Sequence, residues 1–323
     1  MKIAMKAVLP VLPALLTSVL AGGLLAPSTA AAQAATSSAA ATSPNPTAAI
    51  QALRKRLPEQ IVKEGQIVAV NHGSFPPYLI AQSTSSVIGA SAELAEAVGQ
   101  IWGVKVNHQA VSGLSAILIG IKSGRYTLAF GPIGDYPERQ ASVDFIDFVE
   151  ESVAFAVRQG NPRALRSIKD TCGLRIAVMG GGSAEKVINQ HSAACVRQGL
   201  APVTVQIYGD QPTALLSVRS DRADGFFSSH APLKYFVKKT REQAGAGGPP
   251  AALELAGVGA ANGFGRIYQG AIVPKGSALG PVLLDTLRLL FENGTYERIM
   301  KKWDLQEHLL PAPGFNLARE GAQ

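Results

Sequence analysis

The feature that most constrains this chain is a strand and helix rhythm that runs once and then restarts. From Gln66 onward, short apolar runs alternate with helical periods: QIVAV, SAELAEAVGQIWG, VKVNHQAV, SAILIGIKSG and RYTLAF. A strand, a helix and a second strand make a βαβ unit, which builds a parallel sheet with helices against its faces. After Arg158 the alternation begins again with LRIAVMGG, SAEKVINQHSAACVRQG, VTVQIYG, PTALLSVRSDR and ADGFFSS, and YQGAIVP comes later. The restart predicts an α/β fold of two similar lobes, each a sheet flanked by helices. The joining segment FVEESVAFAVRQGNP carries no long flexible insert, so extended strands should join the lobes and serve as a hinge.

Ahead of this body, MKIAMK gives a basic start, AVLPVLPALLTSVLAGGLLA an apolar run, and Ala32-Gln33-Ala34 a small-x-small cleavage site. That is the pattern of a cleavable secretory signal peptide over residues 1–34. Two prolines and a glycine pair interrupt the run, which argues against a membrane anchor. With no cysteine at its end to carry a lipid, the expected product is freely soluble and periplasmic. Residues 35–55, mostly small residues and proline, read as a low-complexity linker, with helical pattern beginning near Thr47 to Leu57. The rest, roughly 250 residues, is enough for two lobes with cores of their own. The expected bounds are 60–155 and 273–310 for lobe 1, 156–272 for lobe 2, and 311–323 for a C-terminal tail.

The formal net charge is +7, of which Lys2 and Lys6 would leave with the signal peptide. No basic run is interleaved with aromatics, so nucleic acid is not an expected partner. The mild positive excess biases the protein towards anionic ligands. Cys172 and Cys195 are the two cysteines. In an oxidising compartment a pair this close in sequence is expected to be bridged, tying the start of LRIAVM to the end of the helix after it. Two cysteines without a nearby histidine pair cannot complete a zinc shell, and His191 is placed on the exposed face of that helix. No metal or cofactor is implied.

Two local patterns carry chemistry. In GPIGDYPERQASVDF, Arg139 falls between the end of the RYTLAF strand and a helical turn, while VDFIDF after it reads as a half-buried strand. There a guanidinium can aim its planar fork into a cleft and hold a carboxylate through two parallel hydrogen bonds. The second pattern is Gly180-Gly181-Gly182-Ser183, a glycine turn that opens a helix. A helix N-terminus offers unpaired N–H groups and a positive dipole end, and glycine lets an anion come close. The turn lacks the following Lys-Ser/Thr and the G-x-G-x-x-G spacing of nucleotide-binding loops.

In order, the landmarks GQIVAVNHGSFPPY, SAELAEAVGQIWG, LSAILIGIKSGRYTLAF, PERQASVDF, CGLRIAVMGGGSAEK, DQPTALLSVRSDRADGFF and GAIVPKGSALGPVLLDTLRLLFENGTYERIMKKWDL span roughly 240 residues. In this order they resemble the family 3 periplasmic solute-binding proteins, which feed polar amino-acid ABC transporters. The resemblance implies a two-lobed fold that closes on a small carboxylate-bearing solute, works as a monomer and delivers its cargo to an inner-membrane permease. By the same resemblance Arg139 clamps the ligand carboxylate, and Gly181, Gly182 and Ser183 donate from the opposite lobe. Phe75 covers the ligand, Leu114 forms the floor, and Pro132 and Gly134 stand where relatives present a backbone carbonyl or a hydroxyl to the ligand's amino group; Tyr78 is a further wall candidate. Relatives that bind α-amino acids place an aspartate where this chain has Ser229, so the ammonium clamp is dismantled unless Asp135 or His230 replaces it. The competing readings are an enzyme like cyclohexadienyl dehydratase on the same scaffold and a ligand sensor. The sequence shows no further cleft acid and no Ser-His-Asp order to support catalysis.

Overall fold

The computed structural model describes residues 46–111, 113–244 and 253–318. The expected signal peptide, the linker as far as residue 45 and the end of the tail lie outside the described residues. The chain opens with α1 (Pro46–Lys55), α2 (Glu59–Glu64), β1 (Gln66–Asn71), β2 (Ser74–Phe75), β3 (Leu79–Ala81) and β4 (Val87–Ile88). Next come α3 (Ala90–Trp102), β5 (Lys105–Ala110), α4 (Leu114–Lys122), β6 (Ala129–Gly134), α5 (Pro137–Gln140) and β7 (Val143–Glu151). The second run comprises β8 (Val153–Arg158), β9 (Arg175–Met179), α6 (Ser183–Arg197), β10 (Thr204–Tyr208), α7 (Gln211–Arg219), β11 (Gly225–Ser229), α8 (His230–Ala244) and β12 (Leu253–Ala256). It returns through β13 (Ile267–Pro274), α9 (Leu279–Glu292), α10 (Thr295–Lys302) and β14 (Leu309–Phe315).

Two main sheets result, one of six strands in the order β14-β7-β13-β6-β1-β5 and one of five in the order β10-β9-β11-β8-β12, beside a small sheet of β2-β3-β4. The expected two-lobed α/β architecture is therefore present, but each main sheet is mixed rather than purely parallel. β5, β1 and β6 run parallel, as do β10, β9 and β11, while β13, β7, β14, β8 and β12 are added antiparallel. Helical crossovers deliver the parallel strands, and the chain crossing between sheets delivers β8 and β13, while β7, β12 and β14 follow helices within their own lobe. The chain passes from β7 to β8 through Ser152 alone and comes back between β12 and β13.

The helices show why these segments fold as they do. In α3 the buried positions include Ala90, Leu94, Ala95, Val98, Ile101 and Trp102, one face at helical spacing, and the helix stops at left-handed Gly103. With α9, α10 and the first sheet this face forms the largest core cluster. Ile117 and Ile121 of α4 cover the opposite face of that sheet. Asn293-Gly294 separates α9 from α10 with Gly294 at φ 73°, the expected stop. Tyr296 and Trp303 are packing residues as expected: the Tyr296 hydroxyl donates to the Phe148 carbonyl at 2.6 Å, and Trp303 Nε1 donates to Glu93 at 3.0 Å.

Several expected boundaries move. The end of the linker is helix α1, in line with the helical pattern beginning near Thr47; its Leu53 is buried against the first lobe and its Arg54 Nε donates to the Ile101 carbonyl at 2.8 Å. β8 begins at Val153 and already belongs to the second sheet, while β13 rejoins the first sheet from Ile267. The expected tail supplies most of β14, the edge strand beside β7. VDFIDF is not half-buried because β7 is flanked by β13 and β14 and both of its faces are packed, Ile146 and Phe148 into the core that holds α9 and Val143 and Phe145 into the core that holds α4. Its aspartates are consequently internal. Asp144 accepts from Lys275 Nζ at 2.8 Å, Gly276 N at 2.7 Å and Asn316 Nδ2 at 3.0 Å. Cys172 and Cys195 form the expected disulfide, joining the segment before β9 to the last turn of α6.

Candidate ligand-binding cleft

A cavity of about 260 Å³ lies outside the carboxyl ends of the parallel strands of both sheets, which is where open α/β sheets place their ligand sites. The first lobe contributes the ends of β1 and β6 and the start of α4, through His72, Leu114 and Pro132 to Gly134. The second contributes the ends of β9 and β11 and the starts of α6 and α7, through Gly180, Ser183, Gln211, Ser228 and Ser229.

Arg139 is held in place before any ligand contact. Its Nη1 donates to the Gly134 carbonyl at 2.8 Å in the first lobe, and its Nη2 to the Gly181 carbonyl at 3.1 Å in the second. The guanidinium carbon stands 4.9 Å from the centre of the Tyr136 ring, an attractive cation and ring contact. Burial lowers the Arg139 pKa, yet a guanidinium remains charged at any working pH. Tyr136 also explains the bare backbone at Gly134, because a Cβ there would stand 2.5 Å from its ring. Burial raises the Tyr136 pKa, so its phenol is neutral.

Three helices point their N-termini at this space. α4 begins after Gly113 and α6 after Gly182, neither with a side-chain cap, whereas α7 is capped by Asp210, whose carboxylate accepts from Thr213 N at 2.8 Å. Burial pushes His72 down to about 4, so its imidazole is neutral at neutral pH. Gln211 is fully buried, lines the cleft, and has no protein partner for either Oε1 or Nε2. Ser74 Oγ and Gln269 Oε1 are in the same state, while Gln269 Nε2 reaches Ser229 Oγ at 3.4 Å. Buried polar atoms are normally paired, so such a set in one cleft fits a wall built for a polar guest.

Most of the residues singled out from sequence meet here: Phe75, Leu114, Pro132, Gly134 and Arg139 from the first lobe, with Gly182, Ser183 and Ser229 from the second. Gly181 lies in an adjoining cavity at the mouth, beside Glu138 and Lys186, and its N–H, expected to donate to the ligand, is taken by Glu185 Oε2 at 2.8 Å. Three candidates are turned away. Tyr78 is fully buried in the first core and stacks on Phe75 at 5.8 Å. Asp135 is enclosed, its carboxylate accepting from Gln140 Nε2 at 2.8 Å and Ala318 N at 2.9 Å. His230 packs against His308 with ring centres 5.6 Å apart. Neither compensation proposed for the missing aspartate therefore faces the cleft; among the described lining residues the carboxylate is that of Asp210. Sequence reasoning missed Tyr136, Gln211, Ser228 and His72. Each stands at or just beyond a strand end, the position that could have flagged it. Gln269, within β13, carries no such signal.

The geometry agrees with the comparisons. Residues 67–306 match the model for bacterial extracellular solute-binding proteins, family 3, and the chain belongs to that family. It is 27% identical over 271 residues to the arginine-binding protein ArgT of Corynebacterium glutamicum, covering 83% of this chain and 82% of that protein. Among solved structures it resembles an ancestral arginine-binding protein bound to glutamine, with a TM-score of 0.63 and 24% identity over 75% of this chain and 98% of the other. It likewise resembles an ancestral amino-acid-binding protein that is a precursor of cyclohexadienyl dehydratase, with a TM-score of 0.61 and 19% identity over 76% and 98%. At those identities the structural likenesses establish the fold.

Proposed function

We propose that this chain is the periplasmic solute-binding component of an ABC importer, closing its lobes around a small carboxylate-bearing, amino-acid-like solute held by Arg139 and delivering it, as a monomer, to an inner-membrane permease. The observation that carries the reading is convergence of positive character on one cavity: the Arg139 fork plus the uncapped N-termini of α4 and α6. Two Arg139 donors are engaged by carbonyls, and the others remain for a ligand carboxylate. Binding is favoured over dehydration because Asp210 already serves as a helix cap, and removing a hydroxyl requires an acid free to protonate it. Without an aspartate at 229, the favoured solute is one whose nitrogen is substituted or uncharged, placed against Ser229, Gln269 and Gln211. A thermal-shift screen of the exported protein with carboxylates and their matched methyl esters tests this, since a ligand stabilises by mass action. Carboxylates should raise the melting temperature and their esters should not; equal shifts from both would reject the carboxylate reading. Solute recovered unchanged after long incubation supports binding, whereas conversion would support the enzyme.

A further inference from the structure

Beyond the cleft, the chain brings together three metal-ligating side chains from distant parts of the sequence. His230 opens α8 in the second lobe, while Glu307 and His308 lie in the short turn between α10 and β14 in the first. One ring nitrogen from each histidine and one carboxylate oxygen of Glu307 lie within 4.8 Å of one another. His230 is 6% exposed and His308 3% exposed. Among the described residues the other such group, Cys172, His191 and Cys195, is disqualified because its sulfurs are bonded to each other.

What separates this group from an ordinary ion-pair cluster is the state of His308. Its Nδ1 meets Glu151 Oε1 at 2.5 Å and the Glu150 carbonyl at 3.2 Å, and its Nε2 is buried with no protein partner. A buried carboxylate holding one imidazole nitrogen, so that the other is left bare, is the outer-shell arrangement that orients metal-binding histidines. Glu151 is itself fixed, since its Oε2 accepts from Ala231 N at 3.2 Å. Glu307 is partly exposed and pairs with Lys234 Nζ, a partner that solvent can replace.

We propose that His230, His308 and Glu307 form a site for a divalent transition cation with the ligand preference of zinc. Two imidazoles and one carboxylate, with a water completing a tetrahedron, suit that ion, and nitrogen donors disfavour magnesium and calcium. The site lies where the chain passes from Glu151 through Ser152 into the second lobe, so the ion ties the lobes at the hinge.

The test is calorimetric titration of the exported protein, purified without a polyhistidine tag and stripped by chelator, with zinc chloride, alongside visible spectroscopy with cobalt(II). The expected result is one zinc per chain and the absorption of tetrahedral cobalt, with no response to magnesium. His230→Gln and Glu307→Gln should each abolish or severely weaken binding. Glu151→Gln, which leaves the ligands in place, should weaken it by about 10- to 100-fold. Circular dichroism of each variant establishes that it is folded, and Glu307→Gln changes only a partly exposed side chain. Absence of zinc binding, or one-to-one binding of unchanged affinity in both ligand variants, overturns the proposal.

Discussion

Replacing Arg139 with alanine is the most direct perturbation of the proposed site, because the structure separates its two jobs. Towards the protein, Arg139 donates once to Gly134 and once to Gly181 and covers Tyr136. Both carbonyls belong to half-buried or exposed residues that water can reach, so their loss should cost the unliganded fold about 1 kcal/mol, with about 0.5–1 kcal/mol more for the ring contact. Towards a ligand, removing one partner of a buried charge pair costs about 2–5 kcal/mol, mostly because the remaining carboxylate stays desolvated without a counter-charge. In calorimetry with the best carboxylate from the screen, that is a loss of roughly 30-fold to several thousand-fold in Kd. Arg139→Lys should recover part of it, since a lysine restores the charge but not the two-pronged geometry. Near-native affinity in Arg139→Ala, with the fold intact by circular dichroism, would refute the clamp and leave the helix N-termini as the source of anion affinity.

Two further outcomes follow from side chains whose surroundings differ from sequence expectation. Ser229→Asp should shift preference towards ordinary α-amino acids by about tenfold or more, the scale of one hydrogen bond to a charged group; submicromolar binding of an α-amino acid by the unaltered protein would contradict the premise and direct attention to Asp210. The second outcome concerns Asp147, whose carboxyl is held well above the usual carboxylate range by burial and by the neighbouring Asp135 carboxyl. An acid whose folded pKa lies above its unfolded value of about 4 stabilises the fold fully below that value and loses the contribution as pH rises towards the folded value. Urea denaturation should therefore show stability falling as the pH rises above about 4, and Asp147→Asn should flatten that slope; an unchanged slope would rule out the raised pKa.

The two-lobed architecture was legible because periodicity and order survive translation into structure: α3 and α9 bury the faces their spacing predicts, and the glycine turn does open α6. Arg139 was legible because a cation between a strand end and a helical turn sits where such sheets gather ligands. What was not legible depends on pairings distant in sequence. Nothing in VDFIDF reveals that β14 covers its edge, and so nothing reveals that Asp144 and Asp147 are internal. Asp135 was read as a cleft acid because it is close in sequence to Arg139, yet it is claimed by Gln140 and by Ala318 from the far C-terminus. His230 follows the strand end at Ser229, but its ring meets His308 instead of the cavity. Gln211 was passed over because an isolated glutamine carries no motif; what distinguishes it is complete burial without a partner, a property only of the folded chain.

The position of Arg139 bears on how binding could drive closure. A ligand shifts the balance between open and closed lobes only by contacts that differ between the two states. The Arg139 fork already reaches carbonyls of both lobes, so a carboxylate accepted by its remaining donors is placed beside the first turn of α6 across the cleft. That crossing depends on Gly181. It lies at φ 72°, where L side chains are strained, and a Cβ there would stand 2.4 Å from Ser115 Oγ of the opposing lobe. The serine hydroxyl can rotate away, so the cost of a side chain at 181 falls on the backbone of the turn that carries the Gly181 carbonyl to Arg139. Straining that turn would shift the start of α6 relative to Arg139, which is why the glycine matters to the contact between lobes as well as to anion access.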